Sequence, residues 1–283
     1  MANILVVGGA GGVGSAVVDS LAARGDAVTV TVLDQAEADR VTARHRGIAV
    51  HQVDLGDADA ALARFRAIID ALPTLDAVAF CAAIAPFGPA EVTPLATFRK
   101  TLEINVLADV ALFQAAMPAL RKSRGRIVMV TSMSGRFGMP ILPAYTGSKF
   151  ALEGIAEVMR REVAPDGVKI STVEPGGIRT AMVEEQIATA RQRRDALDPE
   201  QKARYGHLYD TFERVAAESH NSSASTAAQV AAVVIEALDA PDPEARYVAG
   251  EDAKQLIGML ETMPPREFEA VIGQMFRKSP AAE

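Results

Sequence analysis

The sequence has one cysteine, Cys81, no tryptophan, and only 5% aromatic residues. A single thiol excludes an internal disulfide and leaves no thiolate cluster for zinc. None of the four histidines, His45, His51, His207 and His220, pairs with another at His-x-x-x-His spacing, so no metal site is expected. There is no basic block, and the net charge is −7. A mildly acidic chain binds polyanions poorly, which argues against nucleic acid and anionic membrane surfaces as partners. Long apolar runs are also lacking: none approaches the roughly 18 residues that a membrane span needs. Residues 4–23 are small and apolar, but no basic segment leads them and glycines interrupt them from Gly8 to Gly14. That is a poor signal peptide, and a cytoplasmic setting is expected.

What is present is ordinary globular composition, 49% hydrophobic and 23% charged over 283 residues. By length that suits two domains or one large α/β domain. The order of patterns favours the single domain. Short apolar, β-branched runs at Asn3–Val7, Ala27–Leu33, Ile48–Val53, Leu75–Ala82, Arg126–Ser132 and Lys169–Pro175 alternate with helical patterns. The helices are expected over 15–24, from the N-cap Asp57 through Leu72, and over 95–121 and 144–163. Such alternation implies right-handed crossovers, a parallel sheet covered on both faces, and a doubly wound, three-layer α/β/α fold of the Rossmann type.

After Pro175 the pattern changes. Residues 184–220 are charged and helical, Asn221–Ser225 reads as a linker, Thr226–Leu238 as an apolar helix and Arg246–Ala249 as a last strand. Two short helices split by Pro264-Pro265 form a C-terminal tail, 251–283. Residues 181–224 leave the sheet edge and carry Met182, Val183, Ile187, Leu197, Leu208 and Phe212 among many charges. They read either as a solvated helix pair or as a helical lid, with Phe137, Met139, Ile141 and Leu142 as the opposing wall.

Five glycines between the first strand and first helix mark a dinucleotide pyrophosphate site. Glycines let the backbone approach the phosphates, and the helix N-terminus favours their charge. Gly9, Gly11 and Gly14 fit Gly-x-Gly-x-x-Gly, while Gly8, Gly12 and Gly14 fit Gly-x-x-x-Gly-x-Gly. Asp34, 20 residues past Gly14, is placed to accept from an adenosine ribose and to repel a 2′-phosphate. A surface turn is its plain alternative. Asp54, ending the third strand, is placed to meet the adenine. No Arg or Lys lies in the glycine loop, and none follows the second strand until Arg40, which favours NAD over NADP.

Tyr145 and Lys149 stand four apart on one helix face, where an ammonium stabilises a phenolate. Ser132 ends a strand thirteen residues earlier, and Asn105 sits among apolar neighbours. Together these residues resemble the short-chain dehydrogenase/reductase family over about residues 3–180. Gly8, Gly12 and Gly14 stand as its glycines, Ser132, Tyr145 and Lys149 as its catalytic set, and Asn105 as its active-site asparagine. Pro175-Gly176-Gly177-Ile178-Arg179-Thr180 looks like its Pro-Gly segment. Ser148–Gly154 and Arg246-Tyr247 look like the branch holding hydroxysteroid and retinol dehydrogenases. Two departures stand out. Phe80-Cys81-Ala82-Ala83 replaces the family's Asn-Asn-Ala-Gly, and Asp34 falls two residues past the usual acidic position, where Val32 stands.

The resemblance implies hydride transfer between a nicotinamide cofactor and an alcohol or ketone. Tyr145 would exchange the proton, Lys149 would lower its pKa and hold the nicotinamide ribose, Ser132 would orient the substrate oxygen, and Asn105 would help a water reach Lys149. Cofactor contacts are implied for Gly8, Gly11, Gly12, Val13 and Gly14, for Asp34, Asp54, Leu55 and Ala82, and for Tyr145 and Lys149. Pro175, Gly176, Ile178 and Thr180 complete them, with Thr180 on the nicotinamide amide. The apolar lid and wall suit a hydrophobic, ring-bearing substrate and not a sugar. A homodimer or homotetramer is expected. A nucleotide-sugar epimerase or dehydratase, whose Gly-x-x-Gly-x-x-Gly Gly8, Gly11 and Gly14 also suit, and a non-catalytic dinucleotide sensor are the rivals.

Overall fold

Alternate residues of the first strand, β1 (Asn3–Val7), enter two different cores. Ile4 and Val6 pack on one face of the sheet, Leu5 and Val7 on the other. A strand buried on both faces reads as an unbroken apolar run, which is why β1 was legible. The computed structural model describes residues 2–222 and 224–277. The rest of the expected tail, 278–283, and Ser223 of the expected lid lie outside the described residues.

Six strands join β1 in one parallel sheet: β2 (Ala27–Val32), β3 (Ala49–Gln52), β4 (Ala77–Phe80), β5 (Arg126–Val130), β6 (Lys169–Pro175) and, completing it, β9 (Arg246–Ala249). Their order is β3-β2-β1-β4-β5-β6-β9. The direction of winding reverses between β1 and β4, and crevices at such points receive ligands. Helices α1 (Gly12–Ala23), α2 (Gln35–Arg44) and α9 (Ala227–Asp239) cover one face. Helices α3 (Ala58–Asp70), α5 (Ala108–Ser123) and α6 (Pro143–Val163) cover the other. The doubly wound α/β/α expectation therefore holds.

Several boundaries differ. Helix α1 starts at Gly12, not Ser15, because the glycine loop itself closes the first turn. The helix expected over 95–121 is α4 (Leu95–Leu102), a π turn (Glu103–Leu107) and α5. By composition Leu95–Ser123 is long and apolar enough to cross a membrane, at mean hydropathy 1.2, which the sequence reading missed. It packs instead as core helix, with Leu112, Ala116 and Leu120 buried against α3. The linker Asn221–Ser225 is partly helical: α7 (Ala181–Asp195) is followed by α8 (Pro199–Ser222). A two-stranded parallel ribbon, β7 (Ile178–Arg179) with β8 (Ser225–Thr226), was not foreseen. Helices α10 (Glu251–Thr262) and α11 (Pro265–Met275) are the last of the described elements.

Candidate active site

The carboxyl ends of β1, β4, β5 and β6 open on the same edge of the sheet, so the motifs converge there. Gly8 turns the chain off β1 with φ at +77°, and a Cβ there would meet Ala82 at 2.8 Å. A Cβ on Gly14 would lie 2.1 Å from the Gly8 carbonyl oxygen, and one on Gly12 2.7 Å from Thr180 Cγ2. Gly9 is confined as well, a Cβ there meeting Val30 Cγ1 at 2.4 Å, whereas one on Gly11 would find nothing nearer than 3.4 Å. The Gly12 contact brings the Thr180 segment over the start of α1. The N-cap, Gly11, has no side chain to cap the helix, so the first-turn N–H groups of Gly12, Val13 and Gly14 stay open to an anion.

At the end of β2, Val32 is buried and Asp34 caps α2, its Oδ1 accepting from the Glu37 N–H at 2.8 Å. Glu37 in turn accepts from the Leu33 N–H at 2.8 Å. Two carboxylates thus stand together just past the carboxyl end of β2. The Arg40 guanidinium lies 3.5 Å from Glu37, and Arg44 pairs with Asp19. Asp54 folds onto its own turn, accepting from the Gly56 N–H at 2.8 Å, with Leu55 half-buried beside it.

Ser132 and Lys149 are buried, and Tyr145 is half-buried in the cavity wall. Ser132 Oγ accepts from the Ser134 N–H at 3.0 Å and is hydrogen-bonded to Tyr145. Accepting from the backbone leaves the serine proton to be donated to the Tyr145 oxygen, which is why this bond lowers the tyrosine pKa. Lys149, only 1% exposed, donates to the Val130 carbonyl at 3.0 Å and lies 5.8 Å from the centre of the Tyr145 ring. Burial raises the Tyr145 pKa above its ordinary value, and the Ser132 hydrogen bond opposes that. The expected lowering by Lys149 is thus not the leading effect in the chain by itself. Burial also pulls the Lys149 pKa down, weakening the charge that would do the lowering.

Asn105 sits in the π turn, a local widening frequent at functional sites. Its amide accepts from the Ile84 N–H at 2.9 Å and donates to the Ile84 carbonyl at 2.8 Å and to Ser148 Oγ at 3.0 Å. The side chain therefore ties the segment after β4 to α6, and its hydrogen bonds are spent on that.

The segment after β6 is fastened from the C-terminal side. The Gly176 N–H donates to Ala249 O at 3.0 Å and the Gly177 N–H to Asp252 Oδ2 at 2.7 Å. Pro175 is buried, Ile178 lies in the ribbon, and Thr180 caps α7 without using its hydroxyl. Asp252 is a site residue that sequence reasoning missed. The paired glycines were the available signal, since a Cβ on Gly176 would lie 2.2 Å from Asp252 Oδ1.

A cavity of about 640 Å³ opens beside Ser132 and Tyr145. Its wall includes five of the chain's ten methionines, Met133, Met139, Met182, Met259 and Met275. Thioethers make a wall that adapts to apolar shapes. Of the expected wall, Met139 and Leu142 line the cavity. Phe137 does not, because it packs edge-on against Phe268 of α11, and Ile141 turns under the lid against Phe87. Of the expected lid residues, Met182, Val183 and Phe212 face the cavity, while Leu197 and Leu208 pack with Phe87. Phe212 itself stacks on Phe87 at 5.0 Å. Ile141 holds φ at +71°, a strained conformation for a β-branched residue, four residues before Tyr145. Helices α10 and α11 supply Leu256, Met259, Val271 and Met275, a wall the sequence did not suggest.

The sequence model of the short chain dehydrogenases matches residues 2–191. The chain belongs to that family. It is 30% identical over 182 residues to a 3-amino-tetrahydro-pyrrolizinone reductase of Xenorhabdus hominickii, covering 64% of each chain. It is 35% identical over 179 residues to retinol dehydrogenase 5 of Mus musculus, covering 62% of this chain and 56% of that one. The chain thus spans less than two thirds of the length of these curated relatives. Among solved structures, a short-chain dehydrogenase from Streptomyces avermitilis superposes with a TM-score of 0.78 at 24% identity, covering 95% and 96% of the two chains. One from Burkholderia cenocepacia, in complex with NADP, gives 0.73 at 19% identity, covering 98% of each. Both share the fold. The family's match ends inside α7, so α8 to α11 and most of the cavity's far wall lie beyond it.

Proposed function

We propose that this protein is an oxidoreductase that moves a hydride between a nicotinamide cofactor and a hydrophobic, ring-bearing secondary alcohol or ketone. The carrying observation is that Ser132 and Tyr145 share the wall of a 640 Å³, methionine-rich cavity with the Gly176–Thr180 segment. The residues fit the cofactor. Gly12, Val13 and Gly14 would hold its pyrophosphate on bare N–H groups, Lys149 its nicotinamide ribose, and Ile178 and Thr180 its amide. When bound, it supplies or accepts the hydride.

The chain's own work is proton handling and orientation. The Tyr145 hydroxyl donates its proton to the substrate oxygen in reduction and takes it back in oxidation. Ser132, held in place through one lone pair by the Ser134 N–H, donates to the same oxygen and fixes it. The ammonium of Lys149 favours the phenolate that forms. The apolar lid and wall keep water from the reacting atoms.

NAD is the favoured cofactor in this reading, because Asp34 and Glu37 would face a 2′-phosphate while Arg40 and Arg44 are engaged by Glu37 and Asp19. Self-association is part of it too. Leu102, Leu107, Phe150 and Val158 stand exposed along α4 to α6, an apolar face suited to a second copy. A cofactor-coupled screen of hydrophobic alcohols and ketones against polyols and nucleotide sugars, run with NADH and NADPH, tests the reading. Turnover of the ring-bearing substrates with a higher kcat/KM for NADH is expected. Preference for sugars would refute the pocket, preference for NADPH the cofactor choice, and cofactor binding without any turnover the enzyme.

A further inference from the structure

Strand β6 is covered on both faces, yet Thr172 and Glu174 are polar on the face where Ile170 belongs to the apolar core. Glu174 is wholly buried, and its Oε1 makes no hydrogen bond. Packing alone gives no reason for an acid there, since an apolar side chain would fill the space without stranding an oxygen. Two guanidinium groups hold it. Arg246 of β9 brings its Nε to 3.3 Å from Glu174 Oε1 and donates to Glu153 Oε2 of α6 at 3.1 Å. Arg136 donates through Nη1 to Glu174 Oε2 at 3.2 Å and through Nη2 to Glu261 Oε1 of α10 at 2.8 Å.

The backbone of Arg136 belongs to the turn that begins at Ser132. The Gly135 N–H donates to the Ser132 carbonyl at 2.8 Å, and the Arg136 N–H to the Met133 carbonyl at 2.9 Å. That turn is seated on the catalytic helix: a Cβ on Gly135 would lie 3.0 Å from Glu153 Cγ and 3.1 Å from the Lys149 carbonyl oxygen. Glu174, at the other end of the ion pair, is followed directly by Pro175 and Gly176. One buried pair therefore joins the turn that carries Ser132 to the strand end that carries the Gly176–Thr180 segment.

We propose that Arg136 is a positioning residue of the reaction: held by the buried Glu174, it fixes the Ser132 turn so that the serine hydroxyl meets the Tyr145 oxygen. The proposal rests on the proton-transfer reading of Ser132 and Tyr145. Arg136 is not part of the cavity wall, so its effect passes through Ser132.

The test is a cycle of Arg136→Met with Ser132→Ala in the full chain. Arg136→Met keeps the stem of the side chain and leaves Glu174 facing Arg246, so no buried acid is abandoned. Phenolate absorbance of the cofactor-free protein, with Tyr145→Phe assigning the signal, should show the Tyr145 midpoint moving up, the direction set by loss of the Ser132 hydrogen bond. The kcat for ketone reduction should fall about 10²-fold, the scale of a misplacement of about 1 Å. With Ser132→Ala already in place, Arg136→Met should leave the midpoint unmoved and cost kcat less than about threefold. Equal effects with and without the serine would overturn the proposal, because a lost cation or a loosened fold acts whether or not Ser132 is there. Arg136→Lys keeps the charge and serves where the Met variant does not fold. Its losses should be smaller, and again confined to the protein that has Ser132. Absence of turnover with every ketone would instead overturn the proton-transfer reading, with the phenolate titration still deciding the role of Arg136.

Discussion

Gly176 and Asp252 make a contact whose energy can be isolated. The Asp252 carboxylate accepts from the Gly177 N–H through Oδ2 at 2.7 Å, while its Oδ1 lies 2.2 Å from where a Gly176 Cβ would stand. Gly176→Ala must therefore push the carboxylate away and break that bond. A hydrogen bond to a charged group contributes about 1.5–3 kcal/mol, so loosening the segment should weaken cofactor binding about 10- to 150-fold. Asp252→Ala removes the same bond directly and should cost a similar amount. In the double variant there is no carboxylate to collide with. Its loss should match that of Asp252→Ala alone and fall well short of the product of the two singles. Titration calorimetry with NADH on the four proteins reads this cycle. Multiplying losses would refute the contact as the reason for the glycine. Unchanged affinity in Asp252→Ala would refute the fastening of the segment by α10.

Ser132→Ala removes the hydrogen bond that opposes burial at Tyr145, so the tyrosine pKa, already above its ordinary value, should rise further. Phenolate absorbance in the cofactor-free protein measures it, and a fall would contradict the geometry. Phe212→Ala deletes a ring stacked at 5.0 Å on Phe87 and should cost the lid's packing about 3–5 kcal/mol. Hydrogen exchange over 181–222 should then accelerate with β1 to β6 unaffected, and equal rates would show that this stack does not hold the lid. In the unaltered protein the same segment should gain protection when cofactor and substrate bind together. Equal protection with and without them would remove the proposed closure.

The strands were legible because both faces of the sheet are covered, so β1 and β4 read as unbroken apolar runs. The catalytic set was legible because helical spacing fixes Tyr145 and Lys149 on one face whatever the rest of the chain does. What failed were inferences from nearness along the chain. Phe137 and Ile141 lie close to Tyr145 in sequence, but an irregular segment aims one at α11 and the other under the lid. Conversely, Asp252 and Met259 reach the site from more than 70 residues beyond Gly176 by way of the C-terminal helices, and no local pattern announces that. Glu37 was overlooked because a surface-turn reading of Asp34 and a ligand reading were weighed without the residue three positions later, which the capping of α2 by Asp34 brings alongside. The π turn at Asn105 was invisible because its composition is that of an ordinary helix.

The central claim is that Tyr145 handles the proton on the substrate oxygen, and Tyr145→Phe tests it most directly. The ring and its packing are kept, and one hydroxyl is lost. With a substrate found by the screen, turnover should fall at least about 10²- to 10⁴-fold, the range typical of a lost general acid or base. NADH should bind as before, because the glycine loop, Lys149 and the Gly176–Thr180 segment are untouched. A folded, cofactor-binding Tyr145→Phe protein that turns over within about tenfold of the parent would contradict the account.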